Sequence, residues 1–444
     1  MKDLLRDFVL WYLRKAAMLQ IQKISPLVIG VGGSSGKTSL VKLLGNMFSD
    51  HFKVRFTKGE NSEIGVPLHI LGLAVEDNSF FDWVRILLTI PVQLVTQWQR
   101  QDVSIIEMGI DSPEEPKNMS YLLKIIQPKI AVVTNISIEH SVYFDPYVRD
   151  RNEDIRKQKI LELTAKEENL LLHSLPKDGV AVVNIDDPYI RKNAFKIRAK
   201  QITISTNDSS ATLFAKEVTI HPDAFIMEII YKGNAYPLVI MQPLPVHFAY
   251  EFLCALGVSL AAGLAIQEAI VSLQQHFTLP AGRANVFRGI RSSVIIDSSY
   301  NNATLPPIMD MLDFLRMLGF GKRKLAIIGD MRELGSLSKE MHQEVAYKIT
   351  QTANKAILIG PLMRNYAVPI LKKAKFPYQQ FDTFTQAKEA IIAAVKEKDV
   401  ILVKGSQNTL FLERVVEMLL AQEEDAAKLC RRGSFWDNIR EVTP

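Results

Sequence analysis

Residues 28–39 read Val-Ile-Gly-Val-Gly-Gly-Ser-Ser-Gly-Lys-Thr-Ser, and this stretch decides the fold. An apolar run typical of a buried strand stops at small residues, and apolar residues at helical spacing follow Lys37 and Thr38. Glycines let backbone N–H groups converge on phosphate oxygens, while the helix N-terminus and a lysine add positive charge. The order of strand, small-residue loop, Gly-Lys-Thr and helix therefore predicts a nucleotide phosphate site. Its predicted residues are Gly33, Ser34, Ser35, Gly36, Lys37, Thr38 and Ser39.

This phosphate loop departs from the usual template at one position. The strict pattern G-x-x-x-x-G-K-T is missed because Val31 stands where the first glycine belongs, and Gly30 lies one residue too early. The alternative interpretation is a glycine-rich turn with a surface lysine. The strand before the loop and the helix after it favour phosphate binding, with the Thr38 or Ser39 hydroxyl available to hold Mg²⁺.

Length and composition bound the class of protein. The chain has 444 residues, enough for more than one core, and its 48% hydrophobic and 23% charged residues are ordinary for a globular protein. The formal net charge of +5 is small for this length and does not indicate a nucleic-acid partner. The two cysteines, Cys254 and Cys430, exclude a four-cysteine zinc site within the chain and favour a reducing compartment. We therefore expect a cytoplasmic protein.

The first 25 residues form a separate segment. Apolar residues at helical spacing, with lysines and arginines between them, predict an amphipathic helix over residues 1–22. We expect this helix to pack on the following domain, and contact with a membrane surface or a partner protein is the alternative. A second apolar run, residues 84–95, is broken by Pro91 and Gln93 and is too short to span a bilayer. No transmembrane segment is predicted.

Two predicted strands end on polar residues suited to a metal and phosphate site. The strand over residues 103–107 ends on Glu107, and the strand over residues 130–133 is followed by Asn135 and then by His140. Open α/β sheets bind ligands at the carboxyl ends of their strands. A lone glutamate or histidine is more often structural, but two such strand ends beside a phosphate loop favour a functional site.

Strands alternate with helical segments along the remaining chain, which predicts an α/β fold with a mostly parallel sheet. A hairpin is expected within residues 202–241. A new pattern begins near Pro280, and it predicts strands over residues 294–297, 325–328, 356–359 and 400–403. We expect a central parallel-sheet domain like that of P-loop ATPases over residues 26–280. A smaller, doubly wound, Rossmann-like domain is expected over residues 281–444.

An ordered set of short motifs resembles the Mur ligase family, ATP-dependent enzymes that join an amino acid or peptide to a carboxylate. Within the family the nearest match is the type that adds D-alanyl-D-alanine to a peptidoglycan precursor. The motifs follow the family order from about residue 27 to 416. They are Ile29 to Ser39, Ile64-Gly65-Val66-Pro67, Glu107-Met108-Gly109, Thr134-Asn135-Ile136 with His140, Gly282-Arg283, Ile296-Asp297-Ser298-Ser299-Tyr300-Asn301, Gly329-Asp330-Met331-Arg332-Glu333-Leu334-Gly335 with His342, and Val403-Lys404-Gly405-Ser406.

The resemblance implies a reaction and a set of ligands. The γ-phosphoryl group of ATP passes to a carboxylate, and an amine then attacks the resulting acyl phosphate. Lys37 and backbone amides would hold the phosphates, Thr38 and Glu107 would bind one Mg²⁺, and Glu107 with His140 would hold a second. The other nucleotide-binding residues that the resemblance implies are Asn135, Arg283, Asp297, Tyr300 and Asn301.

The resemblance also implies an unusual lysine. In the family, a lysine beyond the histidine reacts with CO₂ to give a carbamate, which is an anionic oxygen ligand in the metal region. We favour Lys159 for this role, with Lys157 as the neighbouring candidate. A solvated helix lysine at position 159 is the remaining alternative.

Several departures from the family pattern keep other functions open. A helix of about 25 residues replaces the N-terminal domain that binds the uridine nucleotide end of the substrate. Phe248 replaces an amide expected near adenine, Ser298 replaces the second of two aspartates, and Gln407 stands where an arginine is common. One alternative is a ligase with a folylpolyglutamate-like or cyanophycin-like acceptor, and another is a nucleotide-binding regulatory protein that has lost catalysis. We expect a monomer that takes a carboxylate acceptor and an amine substrate.

Overall fold

The computed structural model describes residues 2–76, 79–98, 100–138, 141–150, 152–300, 305–406 and 410–443. It confirms the predicted α/β class, with a large, mainly parallel sheet followed by a second sheet. The strands that fill the middle of each sheet are mostly apolar and buried on both faces, as parallel sheets covered by helices require.

The first sheet has nine strands. They are β1 (Leu27–Gly32), β2 (Val54–Phe56), β3 (Val103–Glu107), β4 (Ile130–Val133), β5 (Val180–Asn184), β6 (Lys200–Ser205), β7 (Leu213–Ile220), β8 (Phe225–Tyr231) and β9 (Asn234–Ile240). Their spatial order is β2-β3-β1-β4-β5-β6-β7-β8-β9. Neighbouring strands are parallel from β2 to β7, whereas β8 pairs antiparallel with both β7 and β9. The hairpin expected within residues 202–241 is therefore confirmed.

The second sheet has six strands. They are β10 (Asn285–Arg288), β11 (Val294–Ser298), β12 (Lys324–Gly329), β13 (Lys355–Ile359), β14 (Tyr378–Phe381) and β15 (Val400–Lys404). Their order is β10-β11-β15-β12-β13-β14, and only the β10–β11 pair is antiparallel. The strands predicted in this region are all present within one or two residues of the expected bounds.

Helices cover both sheets. They are α1 (Lys2–Ile24), α2 (Lys37–Phe48), α3 (Gly65–Leu71), α4 (Phe80–Thr96), α5 (Met119–Leu123), α6 (Ser141–Phe144), α7 (Glu153–His173), α8 (Pro188–Arg191), α9 (Phe248–Ala261), α10 (Ile266–His276), α11 (Leu305–Leu318), α12 (Ser338–Thr352), α13 (Val368–Lys373), α14 (Phe384–Ala394), α15 (Glu413–Leu419) and α16 (Ser434–Val442). Among the helices of the described residues, none has the length and apolar character needed to cross a bilayer.

The N-terminal helix α1 packs on the first domain, as expected. Leu13 and Ala16 are buried in a cluster with Leu68 of α3 and with Ile86 and Ile90 of α4. Helix α4 continues through Pro91, so the apolar run that looked interrupted in the sequence is one helix of 17 residues.

The two domains contact each other along α7 and the turn before it. The Asp145 carboxylate accepts hydrogen bonds from Arg156 Nε at 2.6 Å and from the backbone N–H of Ser336 at 3.0 Å. Lys157 Nζ lies 2.7 Å from Glu340 Oε1 and 3.3 Å from Glu344 Oε1, both on α12. The start of α7 is therefore held to the second domain by charged groups.

Candidate functional site

The phosphate loop connects β1 to α2 at the carboxyl edge of the first sheet. Gly33 has a φ of +117° and Gly36 a φ of +81°, both in the left-handed region that favours glycine. A Cβ atom on Gly33 would also overlap the hydroxyl of Thr134. Gly36 is the N-cap residue of α2, and as a glycine it has no side chain that could cap the helix. The first turn of α2 therefore presents its N-terminus at this loop, the arrangement that binds anions.

Hydrogen bonds to the end of β4 fix the loop in place. The backbone N–H of Ser34 donates to the Asn135 carbonyl at 2.9 Å, and that of Ser35 donates to Asn135 Oδ1 at 3.2 Å. The N–H of Ser137 in turn donates to Ser34 Oγ at 2.8 Å. Asn135, proposed from the sequence as a nucleotide ligand, thus lies at the loop and holds its backbone.

The Lys37 ammonium group folds over the same loop. Its Nζ donates to the carbonyl oxygens of Gly33 and, at 3.1 Å, Ser34. These contacts hold a positive charge directly against the turn whose N–H groups suit a phosphate.

A buried carboxylate at the end of β3 meets the start of α2. Glu107 is 1% exposed, and its Oε1 accepts from Thr38 Oγ1 at 3.1 Å and from Asn61 Nδ2 at 2.9 Å. Within the described residues its Oε2 is buried and has no hydrogen-bond partner. A hydroxyl beside a carboxylate with a free oxygen is a donor set that suits Mg²⁺, which takes few protein oxygens and keeps water and phosphate ligands. No group of three His, Cys, Asp or Glu side chains in the described ranges could hold a metal ion.

A second buried carboxylate reaches the loop from α7, and the sequence analysis missed it. Glu168 is 2% exposed, and its Oε2 accepts from the backbone N–H of Gly33 at 2.7 Å. A Cβ atom at Gly32 would lie 2.9 Å from this oxygen, so the close approach needs glycine there. The helical spacing of apolar residues could have identified Glu168 as buried. It lies on the same face of α7 as Ile160, Thr164, Ala165, Leu171 and Leu172.

The structure does not bring Lys159 to the phosphate loop, and this corrects our expectation for that residue. Its side chain is 51% exposed, and its Nζ pairs with Asp150 Oδ2 at 2.8 Å. Nine residues separate Lys159 from Glu168, which in an α-helix is half a turn out of phase and about 13 Å along the axis. Lys159 therefore faces away from the loop that Glu168 touches.

A cavity of about 360 Å³ lies between the strand ends of the first domain, α9 and the second domain. Its lining includes Asn135, Asp187, Phe248, Glu251, Arg283 and Ser298. Arg283 Nη1 lies 3.3 Å from Ser39 Oγ, so this guanidinium reaches from the second domain to the start of α2. The cavity therefore lies next to the phosphate loop and is lined by residues of both domains. This position suits the base and ribose of a nucleotide.

Glu251 is the unusual group in the cavity wall. Burial raises its pKa from 4.5 to about 8, and the charge of Arg283 opposes the change. Glu251 is therefore largely a neutral carboxylic acid at pH 7, able both to donate and to accept a hydrogen bond. Nothing in the sequence singled it out, because its state depends on burial between two domains.

Two other predicted nucleotide ligands lie in the second domain. Asp297 is fully buried, its Oδ1 accepts from the Ser299 N–H at 3.0 Å, and burial raises its pKa. The next residue, Ser298, is the one that lines the cavity. The Tyr300 ring lies 5.3 Å from the guanidinium carbon of Arg431. Three residues named in the sequence analysis lie outside the described residues, namely His140, Asn301 and Gln407.

Comparisons with known proteins match both domains. The Mur ligase middle domain matches residues 31–259, and the glutamate ligase domain of Mur ligases matches residues 282–407. The UDP-N-acetylmuramoyl-tripeptide–D-alanyl-D-alanine ligase of Synechocystis is 26% identical, over 90% of this chain and 76% of the relative. The enzyme of the same name from Borreliella burgdorferi is 25% identical, over 94% of this chain and 79% of the relative.

Solved structures share the fold. MurF ligase from Thermotoga maritima in complex with ADP superposes with a TM-score of 0.72 at 23% identity, covering 94% of this chain and 84% of that one. MurF from Acinetobacter baumannii also gives a TM-score of 0.72, at 19% identity, covering 91% of this chain and 78% of that one.

Proposed function

The chain belongs to the Mur ligase family, and from this premise we propose that it is an ATP-dependent ligase that joins an amine to a carboxylate through an acyl phosphate. The observation that carries the proposal is the meeting of Lys37, Thr38 and Glu107 at one phosphate loop. Relatives over most of the chain are named as ligases that add D-alanyl-D-alanine. We therefore propose a peptidoglycan precursor peptide as the acceptor and D-alanyl-D-alanine as the amine.

In the proposed reaction the protein mainly positions the reactants and neutralises the charge of the phosphates. Phosphoryl transfer has little covalent work for side chains, since the barrier falls when charge on the phosphates is neutralised and the reactants are aligned. Lys37 and the loop N–H groups would bind the phosphates of ATP. Arg283, which already contacts the start of α2, would add positive charge from the second domain.

The metal role falls to Thr38 and Glu107. The buried Oε2 of Glu107 offers a ligand oxygen, and the Thr38 hydroxyl beside it offers a second. When bound there, Mg²⁺ supplies positive charge to the phosphate oxygens that accept electrons during transfer. His140 remains a proposed ligand on the family pattern alone.

The arrangement of the domains suits a reactive intermediate. An acyl phosphate hydrolyses in water, so the site must exclude water between phosphoryl transfer and amine attack. Residues of both domains line the cavity, and Lys157 of α7 pairs with Glu340 of the second domain. We propose that residues 26–280 bind ATP and the acceptor and that residues 281–444 bring the amine, with the protein acting as a monomer in the cytoplasm.

The deciding experiment measures phosphate release from ATP and Mg²⁺ with the uridine-nucleotide tripeptide precursor and D-alanyl-D-alanine, each alone and together. We expect release that requires both substrates, and a product heavier by one dipeptide in mass spectrometry. Lys37→Ala should abolish release, whereas Lys42→Ala, on the exposed face of the same helix, should not. No release with this pair or with folate and glutamate substrates would reject the ligase proposal and favour a regulatory nucleotide-binding protein.

A further inference from the structure

The position of Glu168 raises the question of which residue supplies negative charge beside the phosphate loop. Withdrawing a carboxylate from water costs several kcal/mol unless hydrogen bonds or opposite charges compensate it. Glu168 is nevertheless 2% exposed, beside the buried Glu167 and Asn169 of the same helix, and its carboxylate accepts a hydrogen bond from the backbone N–H of Gly33. An apolar residue would fill this place at lower cost, so the presence of a buried carboxyl group is the feature to explain.

The two candidate lysines of the same helix, Lys157 and Lys159, do not provide that charge. A carbamate forms only from a neutral amine, whose nitrogen attacks CO₂ and then loses a proton. Burial lowers the pKa of Lys157, but its hydrogen bonds and ion pairs with Glu340 and Glu344 outweigh burial and leave the pKa raised. Lys159 lies on the side of α7 opposite to Glu168, and its ammonium group pairs with the Asp150 carboxylate. Carbamylation at either position would break an ion pair and place the new charge away from Gly33.

We propose that Glu168 is a positioning residue that gives the phosphate site a permanent negative charge, so that this ligase does not depend on lysine carbamylation. The proposal rests on the proposed ligase function. Glu168 accepts the Gly33 N–H and so orients the turn that receives the phosphates. Its charge favours the magnesium complex of the nucleotide over the free nucleotide.

The test compares Glu168→Gln, which keeps an acceptor but removes the charge, with Glu162→Gln on the exposed face of α7. The direct readout is ADP affinity with and without Mg²⁺, measured by calorimetry. We expect Mg²⁺ to raise the ADP affinity of the wild type and of Glu162→Gln by the same factor. In Glu168→Gln this factor should be about tenfold smaller, which corresponds to roughly 1.4 kcal/mol. An unchanged gain in Glu168→Gln would overturn the proposal.

A second readout addresses CO₂. Ligase activity of the wild type should be the same in bicarbonate-depleted and bicarbonate-supplemented buffer, and Lys159→Ala should retain it. Activity that falls on depletion, or that Lys159→Ala loses and short carboxylates restore, would show that a lysine carbamate is used. Absence of ligase activity under all conditions would count against the proposed function, while the nucleotide-binding comparison would still test Glu168.

An independent observation concerns the outer faces of α1 and α4. Eleven of the 23 exposed large hydrophobic side chains in the described residues come from α1 and from residues 80–98. We call this surface the α1–α4 face, formed by Leu5, Phe8, Trp11, Leu19, Phe80, Phe81, Val84, Leu88, Val92, Val95 and Trp98. Apolar surface of this extent on a soluble domain marks an interaction site.

The outward face of α4 carries one charged side chain, that of Arg85. Between Phe80 and Thr96 the only charged residues are Asp82, which is 5% exposed, and Arg85, which pairs with it. Phe81 and Leu88 are 82% and 71% exposed, although the helix could bury its stripe of Ile86 and Ile90 without them.

Positive charge borders this surface and indicates its occupant. Helix α1 has five basic and two acidic residues. Lys23 Nζ lies 4.5 Å from the ring centre of Trp98, and Arg14 and Lys15 line a neighbouring cleft together with Lys124. Aromatic and aliphatic side chains with lysine and arginine at their edge fit the boundary between the headgroups and acyl chains of an anionic bilayer. A second copy of the chain would instead bring two positive rims together.

We infer that the α1–α4 face rests on an anionic lipid surface without crossing it. The test is sedimentation with vesicles of phosphatidylcholine alone or mixed with phosphatidylglycerol. We expect binding to the mixed vesicles that weakens with salt. A Leu88→Ser, Val95→Ser double variant should bind about thirtyfold more weakly, the equivalent of about 2 kcal/mol for the two side chains. Phe320→Ser, at an 89% exposed position elsewhere, should bind as wild type does.

Three outcomes would overturn this inference. They are equal binding to both kinds of vesicle, no binding to either, and a dimer in light scattering that the double variant dissociates. The third would assign the face to a second copy of the chain.

Discussion

Replacing Glu251 by glutamine should change how stability depends on pH. The folded protein holds the Glu251 proton more tightly than the unfolded chain, because burial raises the pKa from 4.5 to about 8. The stability from this proton is fully present below pH 4.5 and is lost as the pH rises through 8. At about 1.4 kcal/mol for each pH unit, the loss between pH 5 and pH 7.5 is about 3 kcal/mol. Glu251→Gln has no such proton to lose.

The assay is thermal unfolding of both proteins at pH 5 and pH 7.5. For a domain of this size 1 kcal/mol corresponds to about 2–4 °C, so the difference in Tm should move by about 6–12 °C in favour of the glutamine variant as the pH rises. Glu217→Gln, an exposed position on β7, should follow the wild type. Parallel Tm curves for wild type and Glu251→Gln would refute the reasoning, since they would mean that the buried carboxyl ionises at its ordinary pKa.

Three further perturbations follow from contacts of the described residues. Glu107→Gln should lower the rate of phosphate release on the order of a hundredfold and raise the Mg²⁺ concentration needed, because a buried anionic ligand oxygen is lost; a normal Mg²⁺ titration would contradict this. Glu413→Ala should cost about 3–5 kcal/mol in urea unfolding, since the fully buried Arg431 loses its partner at 2.7 Å; a cost below about 1 kcal/mol would show that water replaces the carboxylate. Gly32→Ala should cost about 1–3 kcal/mol and lower ADP affinity, because its Cβ would press on Glu168; calorimetry would check the affinity, and unchanged binding would mean that Glu168 is free to move.

Much of the fold could be predicted from local patterns. The strand over residues 103–107 has its predicted bounds, because a mostly apolar run that ends on a polar residue is typical of a strand in a covered parallel sheet. Helix α4 is harder to predict from the sequence. Pro91 suggests an interruption, but the helix is packed on both sides of it, by the buried Ile86 and Ile90 before the proline and by the partly buried Leu94 after it.

The site was predictable where it depends on neighbours in sequence. Lys37 and Thr38 follow from the phosphate loop itself, and Glu107 from its place at a strand end. Glu168 lies 135 residues from the glycine that it contacts, and no pattern within the loop refers to it. Lys159 was chosen by counting along the chain, although the phase of the helix places it on the outer face.

Helix α7 joins two of the contacts described above. Its 21 residues span about 30 Å, with Lys157 gripping the second domain near one end and Glu168 touching the phosphate loop nearer the other. The helix therefore connects a contact with the second domain to a contact with the phosphate loop. A movement of the second domain that displaces Lys157 would therefore also displace Glu168 and, through its hydrogen bond, the backbone of Gly33.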